Sequence, residues 1–253
     1  IANITAPRLL DLDRQCNLLG VRVQVIPTAS EIVGGAVKLG DISDVTEEDL
    51  MGRRPIHTDE GKITDFIHGR RVLVTGAGGS IGSELARQLA RYAPSRLVLL
   101  DRDESALHAV QLTLDGSGTL SSQDLYLADI RDAGRIREVF REVAPEIVFH
   151  AAALKHLPLL ERFPEEALKT NVCGTENVLA AAQAVGVSVF VNISTDKAAD
   201  PTSILGYSKL VTERVTAGMP CEGDAKYVSV RFGNVLGSRG SVITAFTQQI
   251  EKG

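Results

Sequence analysis

A doubly wound α/β fold on a parallel sheet is the architecture this sequence predicts, and three observations predict it. From Arg71 onward, short apolar segments alternate with longer stretches of helical periodicity. A glycine-rich turn, "TGAGGSIG", joins the first such pair, and an acidic residue, Asp101, closes the second apolar segment. Strands that are apolar on both faces need cover on both faces, and helices alternating with them supply it.

The elements follow in order. "APRLLDLDRQCNLLG" (6–20) spaces Leu9, Leu10 and Leu19 for a helix that Gly20 stops, and "VRVQVI" (21–26) alternates like a strand. The pair reads as the end, or remnant, of a small α/β module. Polarity rises through "GDISDVTEEDLMGRRPIHTDEGKITDFIHG" (40–69), a linker with one short helix near Thr46 to Met51. The expected boundary divides residues 1–66 from 67–253. Beyond it, strands at "RVLVTG", "RLVLLD", "DLYLADI", "EIVFHAAA", "VSVFVNIS" and "YVSVRFGN" are separated by helices. These are "SIGSELARQLARYA", "ESALHAVQLTL", "AGRIREVFREVA", "EEALKTNVCGTENVLAAAQAVG" and "SILGYSKLVTERVTAG". This succession predicts the Rossmann strand order.

A chain of 253 residues with 44% hydrophobic content can bury one sizeable core. Its net charge of −5, with basic residues dispersed, offers no field for tracking a phosphate backbone and argues against nucleic acid as a partner. Cys16, Cys173 and Cys221 lie far apart without metal-ligand spacing, and their odd number argues against a disulfide framework; a reducing, cytosolic setting fits. No run reaches the roughly 18 apolar residues of a membrane span. The chain begins at Ile1 and its methionines are Met51 and Met219, which reads as a fragment whose membrane segment or further domain would lie upstream.

The glycine turn places Gly76, Gly79 and Gly82 between a strand and a helix that Ser80 and Ile81 open. Glycines let backbone N–H groups approach a pyrophosphate, and the helix N-terminus adds partial positive charge. Asp101 is placed to accept hydrogen bonds from an adenosine ribose and to repel a 2′-phosphate, so NAD is expected over NADP. Arg102 keeps NADP open, since it could stack on adenine or cap a phosphate. Asp129 and Ile130 either frame the adenine or simply end a strand. Ala151 and Ala152 are small enough for a cofactor to lie against their backbone, or are small for packing.

Five stretches, "TGAGGSIG", "HAAALKH", "KTNVCGTENV", "STDKAADPTSILGYSK" and "RFGNVLGSRGSV", together resemble the extended short-chain dehydrogenase/reductase superfamily. More narrowly they are similar to its nucleotide-sugar 4,6-dehydratases of the capsular-polysaccharide type, which convert UDP-N-acetylglucosamine to a 4-keto-6-deoxy sugar. The resemblance covers residues 67–253, and residues 1–66 resemble that family's connection to an upstream module. It implies a UDP-sugar substrate and a homo-oligomer paired through helices 165–186 and 203–218. It also implies a cytoplasmic catalytic domain of a membrane-anchored protein, and a substrate lobe beyond "QQIEKG".

The superfamily usually carries tyrosine four residues before its lysine, on one helix face. Here Lys209 keeps the lysine place and Leu205 occupies the tyrosine slot. Tyr207 lies about 200° around the helix from Lys209 and reads as a packing or interface residue. The long dehydratases resembled often carry methionine in that slot, so an apolar residue does not end the reading. The resemblance assigns Asp196 as acid, Lys197 as the base for C5 and Thr195 as a hydrogen bond to the sugar O4. A solvated loop pair is the alternative for Asp196 and Lys197, and their place directly after Ser194 and Thr195 favours catalysis. Adjacent charge would hold Asp196 ionised, so its acid role needs a closed site or a proton first taken from the O4 hydroxyl. By the same resemblance Asn234 contacts the diphosphate and Asn171 orders the site. Lys155 and Arg239 are candidates for sugar or phosphate contacts, with surface roles as alternatives. A sugar epimerase and a catalytically silent NAD-binding module are the competing readings.

Overall fold

The computed structural model describes residues 4, 6–25, 43–44, 58–115, 123–220, 223–233 and 235. The chain divides into two units, Ile1–Thr58 and Asp59–Gly253. In the first, helix Ala6–Leu18 ends in a turn at Gly20, and a short antiparallel ladder joins β1 (Gln24–Val25) to β2 (Ser43–Asp44). The short helix expected near Thr46 to Met51 lies outside the described residues.

The second unit carries a six-stranded sheet of β3 (Arg71–Thr75), β4 (Arg96–Asp101), β5 (Leu125–Leu127), β6 (Ile147–His150), β7 (Val189–Thr195) and β8 (Lys226–Phe232). All pairings are parallel and the order is β5-β4-β3-β6-β7-β8, the expected Rossmann arrangement. Side chains alternate across each strand. Val72 and Val74 therefore enter one core with Ile67, Leu89, Leu107 and Val110, while Leu73 enters the other with Ile136, Phe140, Leu179 and Phe190. The chain leaves β3 toward β4 on one side, and the sheet resumes with β6 on the other. That reversal opens a crevice at the carboxyl ends of β3 and β6.

Three local differences from expectation have physical causes. Helix Glu60–Ile67 interrupts the expected linker: Asp59 caps it by accepting from the Lys62 amide, and Ile67 is buried with β3. It belongs to the second unit, which begins at Asp59. A further helix, Leu157–Arg162, follows β6. The single helix expected over 165–186 is composite: Pro164–Ala167, a π-helical stretch Leu168–Cys173, and Gly174–Ala184. Among the described residues, no helix is long and apolar enough to cross a membrane.

Candidate active site

The crevice is built first by the glycine turn. Gly76 has φ +68°, and a Cβ there would stand 2.5 Å from the Ala152 amide nitrogen. The loop after β6 thus lies directly against the turn after β3, tied by the Ala151 amide donating to the Thr75 carbonyl at 3.0 Å. Gly82 packs so closely on the Gly76 carbonyl that a side chain would collide with it. Gly79 caps helix Ser80–Ala90 without a side-chain bond, and no carboxylate occupies the first turn. The positive end of that helix is left to attract an anion at the crevice.

The resulting cleft, about 270 Å³, is lined by Gly76 and Gly79, Asp101 and Arg102, Asp129 and Ile130, and Ala151 and Ala152. Ser80, Ile81 and Gly82 form the helix start behind it. Asp101 is pinned at the rim, with Oδ2 accepting from the Gly78 amide at 2.8 Å and Oδ1 from the Asp103 amide at 3.0 Å. Arg102 leans toward Asp129 at 3.8 Å. Asp129 is gripped more tightly by Arg131, whose Nε and Nη2 reach its Oδ2 at 2.9 and 2.6 Å, and those bonds hold its carboxyl below the usual range. Glycine turn, helix end, rim carboxylate and small-residue wall together fit a dinucleotide lying across the strand ends.

Below the cleft runs a buried polar chain. His150 Nδ1 lies 2.7 Å from the Thr75 hydroxyl, and its Nε2 lies 2.9 Å from the Thr175 hydroxyl, which donates to the Asn171 carbonyl at 2.5 Å. With the Thr175 proton spent, Nε2 must carry hydrogen and Nδ1 must accept from Thr75. Burial, then the nearby charge of Lys209, lowers the His150 pKa to about 3, so the ring is neutral.

Asn171 sits in the π-helical stretch, buried, and its amide is fully engaged within the protein. Its Oδ1 accepts from the Leu154 amide at 2.8 Å, while Nδ2 donates to the Leu154 carbonyl at 3.1 Å and to the Ser208 hydroxyl at 3.0 Å. Through these bonds it ties the loop after β6 to the π-helical stretch and to the helix Ile204–Gly218. Asn171→Ala is expected to cost about 2 kcal/mol by leaving a Leu154 backbone group unpaired, measurable as a lower denaturation midpoint.

Thr195, Asp196 and Lys197 stand together at the carboxyl end of β7, the last two opening a 3₁₀ turn. Asp196 Oδ1 accepts from the Thr195 hydroxyl at 2.9 Å and from the Lys197 ammonium at 3.1 Å. Those bonds, Lys197 first, hold the Asp196 carboxyl below its ordinary range. Lys209 is buried and donates to the Ile193 carbonyl at 2.8 Å; burial pushes its pKa down to about 8, with Glu213 working against that. Leu205 is buried with Leu160 and Ala167, so the tyrosine slot is an apolar packing position. Tyr207 is 54% exposed on the outer face of the helix. Lys155 is exposed beyond β6. Asn234 and Arg239 lie outside the described residues.

Sequence reasoning passed over His150, Thr175, Glu213 and Arg231 and gave Ser194 no role of its own. Glu213 carried a signal, since it stands four residues after Lys209 and so shares its helix face. The Ser194 hydroxyl donates to it at 2.6 Å, and Arg231 Nη2 pairs with it at 2.7 Å. His150 carried none, because its partners come from distant elements.

Comparison with known proteins gives concordant results. Residues 72–253 match the model of a family described as polysaccharide biosynthesis protein. The whole chain is 42% identical to a probable polysaccharide biosynthesis protein, EpsC, of Bacillus subtilis, of which it covers 42%. It is 34% identical over 192 residues to an inverting UDP-N-acetylglucosamine 4,6-dehydratase of Campylobacter jejuni, covering 74% of this chain and 56% of that protein. Among solved structures, a Brucella ovis UDP-glucose 4-epimerase in complex with NAD superposes with a TM-score of 0.55 at 25% identity, covering 64% of this chain and 51% of that one. The chain therefore spans less than half the length of the curated relatives it matches from end to end.

Proposed function

The chain belongs to the polysaccharide biosynthesis protein family, and from that premise we propose that it is the NAD-binding catalytic domain of a nucleotide-sugar 4,6-dehydratase acting on UDP-N-acetylglucosamine. The observation that carries the reading is the triplet Thr195, Asp196 and Lys197, a hydroxyl, an ionised carboxylate and an ammonium hydrogen-bonded together where a Rossmann site meets its substrate. The likeness to the Campylobacter jejuni dehydratase supports the reaction class.

Bound NAD would supply the reversible hydride step, from C4 of the sugar and back to C6. The chain's own residues do the rest. Asp196, ionised at rest, takes the C4 hydroxyl proton as C4 becomes a ketone, and Thr195 holds O4. The ketone acidifies the C5 proton, which Lys197 accepts after its ammonium has released a proton to solvent, to be regained when the cycle closes. The C6 hydroxyl then leaves as water with the proton that Asp196 holds, and Lys197 returns its proton to C5. The net change is loss of one water. Lys209 holds the cofactor, and the pinned Asp101 favours NAD over NADP by repelling a 2′-phosphate. Two copies would pair through helices Gly174–Ala184 and Ile204–Gly218, where Tyr207 and Val211 stand exposed one turn apart.

Mass spectrometry of UDP-N-acetylglucosamine incubated with the protein at the full length of its relatives is expected to find a product lighter by one water. Tyr207→Phe is expected to leave that yield within about twofold, since an exposed side chain away from the site sheds little when changed. The likeness to an epimerase with NAD favours one alternative, an epimerase of the same cofactor site. A new isomer of unchanged mass, separated from the substrate by chromatography, would establish that alternative in place of dehydration.

A further inference from the structure

A buried hydroxyl at the cleft is left without a hydrogen bond. Thr170, in the π-helical stretch, is 5% exposed and lines the cleft, and its Oγ1 is sealed from solvent and finds no partner among the described residues. A buried hydroxyl that makes no bond forfeits its hydration without return, so in a native fold it points to a partner still to come. Its neighbours on the helix show where that partner lies.

Thr170 shares a helix face with residues at helical spacing before and after it, and each of them meets the loop that follows β5. Glu166 pairs with Arg131 at 3.4 Å. Gly174 lies so close to Ile130 that a Cβ there would stand 2.6 Å from the isoleucine Cδ1. Asn177 Nδ2 donates to the Ile130 carbonyl at 3.0 Å. Thr170 therefore belongs to the part of the cleft wall that Asp129 and Ile130 form.

We propose that the Thr170 hydroxyl is a hydrogen-bonding partner of the cofactor's adenine ring. With the pyrophosphate at the glycine turn and the adenosine ribose at Asp101, the base extends past the end of β4 toward β5, where this wall stands. The Asp129 carboxylate is already committed, both of its oxygens accepting from Arg131. The Thr170 hydroxyl is uncommitted, and as donor and acceptor it suits a base edge that carries both an amino group and ring nitrogens. Threonine in a helix divides between two χ1 rotamers, and passing from one to the other exchanges hydroxyl and methyl, which turns the oxygen to the bound base. The inference rests on NAD lying in this cleft and is independent of which sugar reaction follows.

The test compares Thr170→Val, which keeps the shape and removes the hydroxyl, with Thr170→Ser, which keeps the hydroxyl, in protein at the full length of its relatives. NAD and ADP affinities are read by titration calorimetry, and the stability of the cofactor-free protein by chemical denaturation. Thr170→Val is expected to bind NAD and ADP each about fivefold more weakly, the loss of one hydrogen bond, while the cofactor-free protein denatures at or above the wild-type midpoint. Thr170→Ser should bind both within about twofold of wild type. The two readouts separate the roles, because a hydroxyl that serves the fold would lower the midpoint when removed. A valine variant with unchanged NAD affinity, or with a lower midpoint, would overturn the proposal. So would a deficit that serine shares, or one seen with NAD and absent with ADP, which would place the hydroxyl at the nicotinamide half. Wild-type protein that takes up no NAD would overturn the cofactor reading itself, and this proposal with it.

Discussion

Lys197→Ala is expected to reduce dehydration of UDP-N-acetylglucosamine by about 10²–10⁴-fold, the usual contribution of a positioned proton-transfer group, while NAD binding is kept. The two halves of this result separate because of where the residues sit. Lys197 stands on the 3₁₀ turn beyond β7, whereas the cleft is lined by the ends of β3 to β6. Neither the glycine turn nor the Asp101 rim depends on the lysine. Lys197→Arg is expected to be as inactive as alanine, since a guanidinium keeps the Asp196 ion pair but does not give up a proton. Turnover that survives either substitution would remove Lys197 from the reaction. The assay is product mass with NAD titrated in parallel, in protein at the full length of its relatives.

Gly76→Ala is expected to lower stability by at least about 2 kcal/mol and to weaken NAD binding by about tenfold or more. A left-handed residue with a Cβ costs about 1–2 kcal/mol by itself. Here the added carbon would also meet the Ala152 backbone at 2.5–2.6 Å. That backbone cannot retreat freely, because the Ala151 amide is bonded to Thr75 and the Gly79 amide to the Gly76 carbonyl. Gly186→Ala provides the control. It shares a positive φ of +71° but has nothing within 4 Å of the new carbon, so it should cost stability alone and leave NAD affinity intact. Equal effects at the two glycines, read by chemical denaturation and calorimetry, would mean that backbone strain and not the close approach governs the cofactor turn.

The strands and long helices of the second unit were legible because their signals are local. The continuous apolar runs in "RVLVTG" and "RLVLLD" mark strands buried on both faces, and both segments are strands. Helices Glu60–Ile67 and Leu157–Arg162 escaped notice because eight and six residues give a 3.6-residue period little room to declare itself. The π-helical stretch was hidden for a different reason. Within it Asn171 reaches back to Leu154, a contact between elements that the sequence separates by 17 positions.

The site divides in the same way. The residues of the glycine turn, the rim acid and the Thr195–Lys197 triplet could be located in sequence because each follows a strand, and strand ends in a parallel sheet converge on one edge. The outward turn of Tyr207 followed from helix geometry alone, and the absence of a phenol at Leu205 from the resemblance. Tertiary structure alone decided what surrounds each group. It buried Lys209, paired Glu213 with Arg231, fixed Asp196 as ionised, kept His150 neutral and turned Asn171 inward. Periodicity and turn chemistry act between near neighbours in the chain, whereas desolvation and pairing depend on which distant segments pack around a side chain. The sequence therefore determined where the chemistry-bearing residues lie along the fold, and the packing of β6, β7, β8 and the helix Ile204–Gly218 decided their charge and their partners.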